Sequence, residues 1–169
     1  EECPESPIVG TELRTGWHLI VADRSGHRLV RDPMLRALSA GCEVITADVE
    51  EHVMVSAAAG WRDGQRIWSV THDAQRGMEH LQAEGDLPVA FAGIRDRLRT
   101  EQQNAGGREA EVDFIFDVPV DLAEALTGYR HDADIPGAGP DPFEVSEESS
   151  SPGSTGNDRP SFLKRLFGR

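Results

Sequence analysis

Apolar and polar positions alternate along the stretch from Glu43 to Trp61. Ile45, Ala47, Val49, Val53, Val55, Ala57, Ala59 and Trp61 take odd positions, broken by Glu51, while Thr46, Asp48, Glu50, His52 and Ser56 take even ones. A period of two sends successive side chains to opposite faces of a strand, so the pattern predicts a buried odd face and a wet even face. At 19 residues it is too long for an ordinary single strand. A bend or bulge near Glu50–Glu51, or two strands in series, is expected. Asp63-Gly64 follows, a two-residue hairpin sequence whose turn needs positive φ at both central positions. That turn pairs Trp61 with Arg66, Ala59 with Trp68, Ala57 with Val70 and Val55 with His72, which adds Trp68 and Val70 to the apolar odd face.

Elsewhere the period changes. "GWHLIVAD" from Gly16 to Asp23 reads as a short buried strand. A helix follows, with Asp32 as cap, Pro33 at the first position, Leu35 and Leu38 on one face and Gly41 as stop. Asp73 is placed to cap a helix over Ala74–Glu84, with Met78 and Leu81 inward and Gly85 ending it. Pro88 opens another helix that closes before Gly106-Gly107, with Val89, Phe91, Ile94 and Leu98 sharing its apolar face. "EVDFIFDVPV" alternates again and predicts a strand with Val112, Phe114, Phe116 and Val118 on one side. Asp121 then caps a short helix through Leu126 that Gly128 ends. This order predicts an α+β fold of the ferredoxin-like, split βαβ kind: an antiparallel sheet with helices on one face.

Composition divides the chain further. Residues 1–15 read as a flexible lead, 16–131 as the α+β domain, and 132–160 as a disordered acidic linker with five of the ten prolines. Within the linker, "DPFEV" from Asp141 to Val145 carries Phe143, an apolar residue able to dock back. Residues 161–169 form an amphipathic basic motif in which Phe162, Leu163, Leu166 and Phe167 share one helical face and Lys164 and Arg165 lie elsewhere. That motif is a candidate protein-recognition element, and also a weak membrane-surface contact.

Net charge is −13, and the residues before Arg159 hold 13 basic against 30 acidic side chains, a net of −17. Such a surface repels nucleic acid and anionic lipid and attracts basic partners. Cys3 and Cys42 are too few and too far apart for a disulfide scaffold and read as free thiols of a cytoplasmic protein. The chain opens without Met or a signal-like apolar run, so it reads as trimmed or processed, and a removed targeting segment stays open.

The candidate chemistry is thin. Histidine and carboxylate adjoin in "EEH" (Glu50–His52), "THD" (Thr71–Asp73) and "RHD" (Arg130–Asp132), yet no metal-ligand spacing accompanies them, and neither a metal nor another cofactor is expected. No serine sits in a nucleophile elbow, and Cys42 follows a helix C-terminus, where the dipole opposes a thiolate. No phosphate-binding glycine loop is present. The small-residue run Ser56 to Gly60, flanked by Trp61 and Trp68, makes either a ligand trough or room for Trp68 and a covering helix. These patterns lead to an acidic, non-catalytic protein-binding or regulatory domain of bacterial type, immunity- or inhibitor-like toward a basic partner. The alternative is an enzyme or small-ligand sensor on the polar face formed by Asp48, Glu50, His52 and Ser56. A homodimer through that face is compatible with both.

Overall fold

The computed structural model describes residues 8–22, 26–133 and 144–146. Two compact units separate in it, one comprising residues 1–24 and 135–169, the other Ser25–Asp134. In the first, β1 (Ile8–Glu12) and β2 (His18–Ala22) form an antiparallel hairpin, and β7 (Glu144–Ser146) pairs with β1 on its other edge. Ile8–Glu12, expected as part of the lead, is therefore a strand. The acidic linker contributes Glu144–Ser146 to this sheet, next to Phe143, which lies outside the described residues.

The second unit is built on β3 (Glu43–Glu50), β4 (Val55–Arg62), β5 (Gln65–Asp73) and β6 (Gln82–Gly85). α1 (Asp32–Leu38) precedes this sheet, and α2 (Ala90–Asn104) and α3 (Asp117–Thr127) follow it. The fold is α+β with antiparallel sheets. Its four strands run as a meander in the order β3-β4-β5-β6, which departs from the split βαβ order of the ferredoxin-like expectation. The break at Glu50–Glu51 is real, but it is a chain reversal. Residues 51–54 form a turn, and β3 and β4 pair antiparallel, with Glu50 opposite Val55.

Asp63-Gly64 makes the expected turn, at φ 50° and 75°, values that favour glycine at the second position. The register beyond it is not the simple hairpin. Trp61 pairs with Arg66 as expected, yet Gly60 pairs with Trp68, leaving Ile67 as an extra residue in β5. This bulge shifts the ladder by one, and a shift of one moves each side chain to the opposite face. Ser56, Ala58 and Gly60 therefore join Trp68, Val70 and His72 on the inner face, while Ala57 and Ala59 stand opposite Thr71 and Ser69 on the outer one.

The inner face carries the core. Ala58, Trp68 and Val70 pack against Phe91 and Leu98 of α2 and Val118, Leu122 and Ala123 of α3. Each large aliphatic or aromatic group so buried contributes about 1.5–3 kcal/mol before ordering costs. Val89, assigned to the apolar stripe of α2, stands just ahead of that helix and is 100% exposed.

Two further expectations are corrected. The segment after Asp73 is a 3-10 turn (Ala74–Arg76) followed by β6, because Gly77 at φ 127° leaves the helical region and residues 82–85 pair with β5. Asp73 does cap, its carboxylate accepting from Gln75 N at 3.0 Å. "EVDFIFDVPV" is a loop running into α3. Asp113 Oδ1 accepts from the backbone N–H of Ile115 and Phe116 at 3.0 and 3.2 Å, which winds the chain into a turn. α3 then buries Val118, Val120, Leu122 and Ala123 and keeps Glu124 exposed, and Pro119 is tolerated in its first turn.

Candidate functional site

Of the polar clusters in the Ser25–Asp134 unit, two are built on the β-hairpin. One is sealed inside, and the other lies on the outer face of the sheet.

The inner cluster starts from the His72–Asp73 dipeptide. His72 faces inward and is 0% exposed, and the bulge sets Ser56 opposite it in the ladder in place of Val55. His72 Nδ1 lies 2.7 Å from the carbonyl oxygen of His80, and a carbonyl only accepts, so Nδ1 carries a proton. His72 Nε2 lies 3.0 Å from Asp113 Oδ2, an ion-pair distance, but outside the alignment of a hydrogen bond. His80 Nδ1 accepts from Asp73 N at 3.0 Å, which places the proton of its neutral form on Nε2. Ser56 Oγ donates to Phe116 O at 2.6 Å, and the Phe116 ring meets the His72 ring edge-on at 6.2 Å. Serine, histidine and aspartate thus come into one neighbourhood, but the hydroxyl is committed to a backbone carbonyl and both Ser56 and His72 are fully buried. A nucleophile needs access to substrate as well as a base. This cluster instead ties the 113–116 loop to the sheet.

On the outer face, the end near the Asp63-Gly64 turn is closed by α1. Ser39, just past that helix, accepts Asp63 N through its carbonyl at 2.8 Å and Gly64 N through Oγ at 3.1 Å. The Arg36 guanidinium lies 5.9 Å from the Trp61 ring centroid. Between α1 and the sheet is a depression of about 300 Å³. Ala57 and Ala59 contribute small apolar side chains to its lining, Asp32, Asp48 and Glu84 contribute carboxylates, and Trp61 forms part of its wall. Arg66 also lines it and approaches Glu84 at 3.9 Å. Asp32 and Asp48 make no ion pair with any described residue. The run Ser56 to Gly60 therefore serves both faces: Ala57 and Ala59 leave space outside, and the missing Cβ of Gly60 admits the Trp68 indole inside.

The residues singled out from sequence are dispersed. Asp48 and Trp61 meet in the outer depression, while Trp68 belongs to the core. Glu50 stands at the end of β3, His52 is exposed in the 51–54 turn, and Ser56 faces inward. The polar set Asp48, Glu50, His52 and Ser56 is not brought together. Phe162, Leu163, Lys164, Arg165, Leu166 and Phe167, with Cys3, lie outside the described residues. Arg130 of "RHD" is a clamp: it bonds Asp117 and Asp132 at 2.8 Å each and also reaches Asp121. Partial burial opposes its charge, but these carboxylates outweigh that and raise its pKa. Sequence reading missed Asp113 and His80, and it took Asp32 as a cap and Glu84 as helical. The polar alternation Ser69, Thr71, Asp73 in β5 was the available signal for which face is wet.

Cys42 is held neutral. Burial and the Asp63 carboxylate raise its pKa, and Sγ donates to Leu38 O at 3.0 Å. Among the described residues, no group of three or more His, Cys, Asp or Glu side chains is arranged to hold a metal ion. No helix among them is long and apolar enough to cross a membrane. Compared with models of protein families, with curated proteins and with solved structures, the chain matches none.

Proposed function

We propose that the Ser25–Asp134 unit is a non-catalytic acidic binding domain that engages a basic protein partner, in the manner of an inhibitor or immunity protein, through the outer face of its sheet. One contrast supports this reading. Ser56 and His72 are sealed, with Ser56 Oγ and His72 Nδ1 committed to backbone carbonyls, whereas Asp32 and Asp48 make no ion pair among the described residues and stand at a depression on the face that α2 and α3 leave free. The charge of the chain has the same sign, and complementary charge speeds encounter and selects partners.

The test is co-purification of the full chain from its source cells, at low and raised salt, beside the variant Asp32→Lys/Asp48→Lys. A basic protein is expected in stoichiometric amount, released as salt rises and lost with the variant. Recovery of the chain alone or as a homodimer, or a partner indifferent to both salt and charge reversal, would sink the proposal.

A further inference from the structure

The outer depression has features that narrow what it receives. We infer that it seats one cationic side chain, lysine or arginine, projecting from the surface of the partner protein. This rests on the reading of the domain as a binder of a basic partner.

Size comes first. At about 300 Å³ the depression stands at the lower end of small-molecule sites and suits one long side chain. Charge comes second. Asp32 and Asp48 have no cation of their own among the described residues, and Glu84 shares Arg66 across 3.9 Å, with about half of each side chain exposed. That pair is too loose to neutralise the remaining two carboxylates. The third feature is independent of charge. Trp61 is 2% exposed and part of the wall, and its indole N–H has no hydrogen-bond partner among the described residues. Buried indole donors are normally satisfied, so the wall that Trp61 forms is left one acceptor short.

The lining matches the two halves of a basic side chain. Ala57 and Ala59 are apolar and small enough to let an alkyl stem lie against the strand, while Asp48 and Asp32 meet the charged head. A side chain on a docked protein is favoured over a free amine. The rest of the interface already covers the loss of rotational and translational freedom that a small ligand would meet alone.

The experiment is a titration of the ¹⁵N-labelled full chain, followed by NMR, with acetyl-glycyl-arginyl-glycinamide, its lysyl counterpart and its citrullyl counterpart. Citrulline keeps the shape of arginine and lacks the charge. Agmatine serves as a free cation. Expected are saturable shifts with millimolar affinity for the two charged peptides, at the amides of Asp48, Ala57, Ala59 and Thr71 and at the Trp61 indole N–H. The citrullyl peptide should leave these signals in place. Asp32→Asn/Asp48→Asn should weaken binding about tenfold with the spectrum otherwise preserved. Glu109→Gln, an exposed carboxylate elsewhere, should change nothing. Absence of shifts at about 20 mM peptide, equal shifts with citrulline, or indifference to the double variant would each overturn the inference. Agmatine binding more tightly than the arginyl peptide would also overturn it, since the site would then belong to a small molecule. The two proposals fail separately: a partner still captured by the Asp32→Asn/Asp48→Asn chain refutes the seat while leaving the basic partner in place.

Discussion

Replacing Gln102 by leucine tests what holds the 107–114 segment against α2. Gln102 is buried, and its Nε2 donates to Gly107 O at 2.7 Å and Val112 O at 3.2 Å, with Met78 Sδ at 3.0 Å. Its Oε1 accepts from Phe114 N at 2.8 Å. An amide nitrogen has two hydrogens, so the carbonyl oxygens take them and the sulfur is a packing contact. Leucine fills a similar volume but leaves three backbone groups behind. A Phe114 N–H left unsatisfied costs about 1–3 kcal/mol. Gly107 O retains only the long bond from Ala110 N at 3.4 Å, and its loss adds about 1 kcal/mol. Val112 is exposed, so its carbonyl can turn to water at little cost. The extra apolar burial of leucine returns about 1 kcal/mol. The expected net loss is about 2 kcal/mol, read as a lower urea midpoint at unchanged slope and a melting temperature lower by roughly 10 °C. Gln102→Glu adds a control. It keeps the acceptor for Phe114 but points a carboxylate oxygen at two carbonyls, so it loses more at neutral pH and recovers part when acid protonates the new carboxyl. A leucine variant within about 0.5 kcal/mol of wild type, at the same slope, would refute this account of the segment.

Gly60→Ala should cost about 1–3 kcal/mol in the same urea assay, because its Cβ would stand 2.6 Å from Trp68 Cε2 in a packed core; an unchanged midpoint would mean that Trp68 has room to move. Asp113→Asn keeps an acceptor for Ile115 and Phe116 and should cost less than about 1 kcal/mol. Asp113→Ala should lose more, and equal losses would show that the Asp113 turn bonds contribute nothing. For Cys42, followed in a Cys3→Ser background, the alkylation rate should reach half its maximum at higher pH than that of N-acetylcysteine measured in parallel, since burial and Asp63 raise the thiol pKa. The sign for stability follows: the raised folded-state pKa gives a contribution that is full below the unfolded thiol pKa and is lost as pH rises through the folded one. A Cys42 profile at or below that of the free thiol would contradict this.

What the chain determines by itself is its local chemistry. Asp63-Gly64 can hardly avoid its turn, because two successive positive φ values suit those residues and the sequence beside them alternates. Pro88 and the 3.6-residue spacing of Phe91, Ile94 and Leu98 specify α2, and Asp73 caps whatever follows it. Each of these depends on residues within a turn or two, so each was legible. Tertiary structure decided which face of the hairpin is buried. Turn chemistry leaves the ladder free to slip by one at Gly60, and only the bulge sets Ser56, Ala58 and Gly60, in place of Ala57 and Ala59, beside Trp68, Val70 and His72 on the inner face. The same holds for residues 112–118, whose alternation fits a strand. Asp113 captures two backbone N–H groups, and the alternation of residues 112–118 runs on into α3, whose helical spacing of Asp117, Asp121 and Glu124 shows only beyond it. The pairing of His72 with Asp113 and the meeting of Asp32, Asp48 and Glu84 join residues from separate elements. No spacing along the chain encodes such meetings, because they are consequences of the register and of where α1 comes to rest.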